Sequence, residues 1–302
     1  MSGEPSWKLV AHAPRLEVEA ALIAHEDASD WDADIVIAGS EMAEDRPDDW
    51  RLEAWLPRHP TRSDRRALDG LFAQPPEWSK ERLPDTDWVT DSQQYLEPVR
   101  AGAFHIRTPH LPPCDEPAVH NFTIPASQAF GTGQHATTAG CLAMLTAMKA
   151  SGTIVRNCAD IGTGTGLLAF AALALWPRAL ATASDIDRVC ANVIAENARL
   201  NGVVLGGRAG EVAVAIAAGL DHPLIEARAP YDLVIANILV GPLVELMPDF
   251  ARAMVPGGSL LLAGLLTTQA AAVRRAGMRA GFRLARQSVG GDWSILWLRR
   301  RR

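Results

Sequence analysis

At 302 residues, 48% hydrophobic and 21% charged, the chain can fold as one large domain or two smaller ones, each with a buried core. Its four cysteines, Cys114, Cys141, Cys158 and Cys190, form no CxxC pair, which speaks against a disulfide framework or a zinc site. The first residues lack the basic and apolar regions of a signal peptide, and the apolar run Leu260 to Leu266 is far too short for a bilayer, so a cytoplasmic protein is expected. The net charge of −6 is unevenly spread: residues 1–99 carry 10 Lys+Arg and 22 Asp+Glu, residues 100–302 carry 19 and 13. Such asymmetry suggests two modules. The acidic one reads either as a solvated surface or as a docking domain that steers a basic partner.

In chain order, 7–12 reads as a short strand and 15–25 as a helix with Leu16, Ala20, Leu22 and Ile23 as its apolar residues. The β-branched run 34–38 and the alternating run 50–56 read as strands, with Trp50, Leu52, Ala54 and Leu56 on one face. Thr61, followed by Asp64, looks like the N-cap of a helix reaching Phe72. With a further strand before Asp87, the order β-α-β-β-α-β suits a small α+β sandwich of ferredoxin-like type. The stretch from Trp78 to Leu96 is rich in Pro and Asp and reads as a connector. The expected organisation is thus 1–77 docking domain, 78–98 linker and 99–302 catalytic domain.

From about Val99 strands alternate with helices, the signature of a parallel, doubly wound α/β sheet. Strands are expected to end at Asp160, Asp185, Asn237 and Gly264, with 282–289 and 293–299 closing the series. Helices are expected at 138–148, 167–175, 188–200 and 242–253; 211–228 is ambiguous. Between the first of these strands and its helix lies Asp160-Ile161-Gly162-Thr163-Gly164-Thr165-Gly166. Glycines there let the backbone turn sharply and approach a ligand. Leu167 occupies the last glycine position of the dinucleotide pattern GxGxxG, which argues against NAD. Asp185 ends the next strand where an acid can bind ribose hydroxyls, and Asp187 is the better candidate for a helix cap. Upstream, Ala129-Phe130-Gly131-Thr132-Gly133-Gln134-His135-Ala136-Thr137-Thr138 leads into a helix. Small residues before a helix N-terminus can hold a carboxylate, although the segment could be a loop and cap alone. Asn237 could accept from an amine at a strand end or could be a simple turn residue.

Taken together, AFGTGQHATT, DIGTGTG, ASDID and DLVIANIL followed by GPL resemble the PrmA family, bacterial methyltransferases of large-subunit ribosomal protein eleven. The likeness extends to 85–89, to PGGSLLLAGLL with Gln269 and to the ending GDWSILWLRR. Gln134 and Ala136 depart from the usual FGTGTHPTT, and IPASQ (124–128) replaces the usual entry to that loop. The resemblance implies a class I, Rossmann-like methyltransferase domain behind a ferredoxin-like substrate-docking domain. It implies S-adenosylmethionine as cofactor, held by Phe130, Gly131, Thr138, Gly162, Gly164, Asp185 and Asn237, with Asn237 also beside the incoming amine as the catalytic residue. It implies methylation of lysine side chains or the N-terminal amine of a basic ribosomal protein. A monomer is expected, without a membrane and without a metal, since in-line methyl transfer requires none and the sequence shows no ligand cluster for one.

Rival readings are a methyltransferase for another protein lysine, a nucleic-acid base or a small-molecule amine, an oxidoreductase, and a catalytically silent binding module. Ile238-Leu239 after Asn237 speaks against the Asn-Pro-Pro-Tyr enzymes that methylate adenine or amides. The terminal Arg299 to Arg302 could touch RNA or form a solvated tail; no direct nucleic-acid readout is expected.

Overall fold

The computed structural model describes residues 6–26, 31–32, 34–42, 48–83, 98–125 and 136–302. The chain divides into two compact units, Met1–Trp88 and Val89–Arg302.

In the first unit, β1 (Trp7–Pro14), α1 (Arg15–Glu26), β2 (Val36–Glu41), β3 (Asp49–Leu56), α2 (Arg62–Asp69) and β4 (Trp78–Arg82) follow one another. The four strands pair antiparallel in the order β2-β3-β1-β4, the ferredoxin-like arrangement. Leu52, Ala54 and Leu56 of β3 alternate into the core as the pattern requires. Between them Glu53 faces the other way and meets Lys8 at 3.2 Å and Arg51 at 3.5 Å. Thr61 and Asp64 form a reciprocal capping box: the Asp64 N–H donates to Thr61 Oγ1 at 3.2 Å, and the Thr61 N–H to Asp64 Oδ2 at 2.7 Å.

Two expectations change here. Of the apolar residues expected on α1, Leu22 packs against the core, but Leu16, at 78%, and Ala20 are exposed, and the buried residues are Val18 and Ala21. Apolar residues ring this short helix, so only its docking on the sheet selects the face. Residues expected to open the linker form β4, which pairs with β1 and carries the Trp78 indole N–H to Asp69 Oδ1 at 3.0 Å. The first folded unit therefore continues past residue 77. After Trp78 this strand is exposed, so it shows no apolar alternation.

The second unit begins with a small sheet, β5 (Val99–Ala101), β6 (Phe104–Arg107) and β7 (His120–Thr123), that the sequence did not suggest. Then come α3 (Ala136–Ala150), β8 (Asn157–Ile161), α4 (Leu167–Leu175), β9 (Leu180–Asp185), α5 (Val189–Leu200), β10 (Val212–Ile216), α6 (Pro223–Arg228) and β11 (Tyr231–Asn237). The chain ends with α7 (Val240–Glu245), α8 (Met247–Ala253), β12 (Met254–Leu266), α9 (Ala270–Arg279), β13 (Phe282–Gly290) and β14 (Trp293–Arg300). Among the described residues the large sheet has seven strands in the order β10-β9-β8-β11-β12-β14-β13. Pairs from β10 to β12 are parallel, and β14 runs antiparallel to both neighbours. This is the expected doubly wound architecture.

Both faces of the sheet are covered, so its strands read as near-continuous apolar runs whose alternate residues serve opposite cores. Leu233, Ile235, Leu261, Ala263 and Ile295 pack with α3, α4 and α5. Val234, Ala236, Leu260, Leu262 and Leu296 pack with α6 to α9. The single helix expected over 242–253 is two helices broken at Leu246. Pro248, which lacks an N–H and disfavours helix before it, restarts the second within its first turn.

Candidate active site

The order of the strands reverses between β8 and β11: β9 and β10 extend one way from β8, while β11 and β12 extend the other. Ligands of open α/β sheets bind beyond the carboxyl ends of strands at such a switch point. Register places the candidate residues there in one row. Ile161 pairs with Ser184 on one side and Ala236 on the other, so the next residues, Gly162, Asp185 and Asn237, stand level across β8, β9 and β11. Two strand spacings of about 4.8 Å put the Asp185 and Asn237 backbones about 10 Å apart, with the glycine turn between them.

The turn is held from several sides. Gly162, Gly164 and Gly166 have φ of 71°, 55° and 86°, conformations that favour glycine. The Gly162 and Thr163 N–H groups donate to Ser184 O at 2.8 and 2.9 Å, and Gly164 N–H donates to Asp185 Oδ2 at 2.8 Å. From α5, the buried Asn197 Nδ2 donates to Thr165 O at 2.9 Å. A Cβ on Gly162 would overlap the side chain of Ile238, so the space beside this glycine is filled by protein. Gly264 also serves close approach: a Cβ there would collide with the Ile238 backbone.

Asp160, at the head of the turn, is 1% exposed. Its Oδ2 accepts from Thr163 Oγ1 at 2.6 Å and from the Ala169 N–H at 3.1 Å, tying the turn to the start of α4. Oδ1 is buried and without a partner. Burial, helped by the negative charge of Asp185, pushes this carboxyl up to about 7, against the pull of those two hydrogen bonds. Asp185 accepts the Gly164 N–H on Oδ2 and the Asp187 N–H on Oδ1, at 2.8 and 3.1 Å, and each oxygen keeps a lone pair for a further donor. Asp187 accepts the Val189 N–H at 2.9 Å just ahead of α5, whose N-cap position is Arg188 rather than the expected Asp187.

Asn237 Nδ2 donates to Thr138 Oγ1 at 3.3 Å, joining the end of β11 to the first turn of α3. Thr138 is 1% exposed. This bond orients the amide and leaves Asn237 Oδ1 buried and without a partner. The structure thus brings Thr138, Gly162, Gly164, Asp185 and Asn237 together. Phe130, Gly131, Gln134 and His135 lie outside the described residues. Thr163, Ser184 and Asn197, which shape the turn, and Ile238, which fills the space beside Gly162, were not singled out. The alternating glycines and threonines of 162–166 were the available signal for Thr163; the others are revealed only by tertiary contacts.

A profile of the family described as "Ribosomal protein L11 methyltransferase (PrmA)" matches residues 16–301. The chain belongs to that family. The ribosomal protein L11 methyltransferase of Rhizobium meliloti (strain 1021) is 39% identical over 271 residues, covering 88% of this chain and 90% of that protein. That of Agrobacterium fabrum is 37% identical over 272 residues, with the same coverage of each. Among solved structures, the ribosomal protein L11 methylase from Lactobacillus delbrueckii subsp. bulgaricus superposes with a TM-score of 0.55 at 26% identity, covering 68% of this chain and 100% of that one. The chain is an S-adenosylmethionine-dependent protein methyltransferase. The residues present fit that cofactor: the unpartnered buried acceptors, Asp160 Oδ1 and Asn237 Oδ1, suit a ligand that brings positive charge and N–H donors. Among the described residues no helix is long and apolar enough to cross a membrane.

Proposed function

We propose that this enzyme methylates amino groups, lysine side chains or the N-terminal amine, of ribosomal protein L11, and that Asn237 positions the amine. The observation that carries the assignment is the Asn237 carboxamide: its nitrogen is engaged by Thr138, and its buried oxygen is free at the switch point. When bound, S-adenosylmethionine supplies an electrophilic methyl group on a sulfonium. The Gly162–Gly164 turn lets the backbone approach it, Asp185 accepts from its ribose hydroxyls, and Thr138 keeps the amide of Asn237 oriented. Asn237 Oδ1 accepts an N–H of the substrate amine and so aims the nitrogen lone pair. A free lysine has a pKa of about 10.4, and desolvation in the crevice favours its neutral, nucleophilic form. Alignment rather than a dedicated base then carries the displacement.

The acidic first unit is assigned the docking of the basic substrate. Opposite fields steer such encounters and weaken with salt.

The test follows labelled methyl groups into an extract that lacks the endogenous activity, with mass spectrometry of the product. Label on amines of L11 is the expected outcome; label on another protein or on a small-molecule amine would replace the substrate assignment. Asn237→Ala should lower single-turnover transfer on the order of a hundredfold, the usual consequence of a misplacement of about 1 Å. Calorimetric cofactor affinity should change far less. An unchanged transfer rate would reduce Asn237 to a strand-end turn.

A further inference from the structure

Positive charge in the second unit is concentrated at one edge. Residues 270–302 hold nine arginines and one acid, Asp292, whereas 100–269 hold 10 Lys+Arg and 12 Asp+Glu. The fold places these arginines on α9, on the edge strand β13 and after β14. They fall into two groups. Arg299 donates through Nε and Nη2 to Gly257 O at 3.1 and 2.8 Å, and Arg300 donates through Nη1 to Met254 O. Those two serve the fold. Arg274, Arg275, Arg279, Arg283, Arg286, Arg301 and Arg302 are exposed, and none has a carboxylate partner among the described residues.

Three of the free arginines come from three different elements to one place. The Arg301 N–H donates to Gly281 O at 2.9 Å, which pins the residues after β14 beside the start of β13. Arg274, Arg283 and Arg301 line a surface hollow of about 100 Å³ floored by Phe282, Leu284 and Leu298. Like charges so gathered repel one another, and no acidic side chain lines the hollow to offset this.

We propose that this edge, centred on the hollow of Arg274, Arg283 and Arg301, binds the phosphate backbone of RNA, at a site separate from the methyl-transfer crevice. A guanidinium presents its donors in a planar fork that matches phosphate oxygens, and three forks around a small hollow match one tetrahedral anion. Arg275 and Arg279, one turn apart on α9, and Arg286 on β13 continue the charge beyond the hollow. That extension favours a polyanion with regularly repeated charges over a single phosphate. Backbone contact of this kind positions a protein on nucleic acid without reading bases.

The test is fluorescence anisotropy of the full chain with labelled RNA of about 20 nucleotides, single-stranded and duplex, between about 50 and 200 mM salt. Binding should be independent of base sequence. Arg274→Gln/Arg283→Gln/Arg301→Gln keeps part of each stem over the apolar floor. It should weaken binding at least about tenfold and make the log–log salt dependence shallower by about 3, one for each lost phosphate contact. A second variant, Arg275→Gln/Arg279→Gln, leaves the hollow intact and should make it shallower by about 2. Methyl transfer to the free protein substrate should be unchanged in both, which also reports that they fold. Several results would overturn the proposal: no RNA binding by the full chain, equal affinity and salt dependence for wild type and triple variant, or tighter binding to anionic phospholipid vesicles than to RNA. Displacement of the RNA by polyglutamate at equal charge would assign the edge to an acidic protein instead.

Discussion

Replacing Asp160 by Asn should remove a pH dependence of stability that the fold builds into the cofactor turn. The carboxyl is 1% exposed, and burial raises it to about 7. In the unfolded chain an aspartate titrates near 3.9, so the gap is about 3 pKa units, worth about 4 kcal/mol at 1.36 kcal/mol per unit. The folded pKa is the higher one. Below about pH 4 the group is protonated in both states and its contribution to stability is complete. Between about pH 4 and 7 only the unfolded state releases the proton, and stability falls by up to about 1.4 kcal/mol per pH unit; above about 7 nothing further is lost. Asn retains an oxygen to accept from Thr163 Oγ1 and the Ala169 N–H, but it cannot ionise. The assay is urea unfolding of wild type and Asp160→Asn at several pH values between about 4 and 8, reading the difference between their profiles. Relative to wild type, the variant should gain steadily with pH until about 7. Parallel profiles would mean that Asp160 ionises as freely in the fold as in the open chain, and the burial argument would fail. The same change should weaken S-adenosylmethionine, because a cationic ligand favours the carboxylate.

Asp185→Ala removes the acceptor of two backbone N–H groups as well as that proposed for the ribose, and calorimetric cofactor affinity should fall at least about a hundredfold. Gly162→Ala combines a positive φ with overlap of Ile238, and should destabilise by about 1–3 kcal/mol in thermal or urea unfolding. Ile238→Ala in the same chain should recover part of that loss; strict additivity would show that the two side chains do not compete for the space. Docking by the acidic unit requires KM for the protein substrate to rise with salt while kcat changes little, and a salt-independent KM would remove that role.

How much of this was legible depended on how many partners a residue needs before its role shows. Six strands of the large sheet were readable because both its faces are covered: β11 is apolar at nearly every position and stops at Asn237, and β12 is continuously apolar from Leu260 to Ala263, although it runs on through Gly264, its expected end, to Leu266. The short β10 was not, since the five-residue apolar run Val212 to Ile216 fits a strand or a buried helix equally. The face of α1 and the position of β4, expected as a strand before Asp87 but overlapping the expected connector, escaped for a related reason. Their local patterns are ambiguous, and only pairing with β1 and packing on the sheet decide them.

The site follows the same logic. Asp185 and Asn237 were conspicuous because a polar residue ending an apolar strand needs a partner, and at a switch point that partner can be a ligand. Thr138 could be placed only by its resemblance to a family motif, since nothing within its own helix shows that a residue 99 positions away donates to it. Gly162 is the instructive case. Its sequence context suggests room for a ligand, yet the positive φ serves a turn whose Cβ side is packed by Ile238. What the turn offers a cofactor is therefore backbone, and the crevice it borders is shaped by the side chains of its neighbours in the row, Asp185 and Asn237.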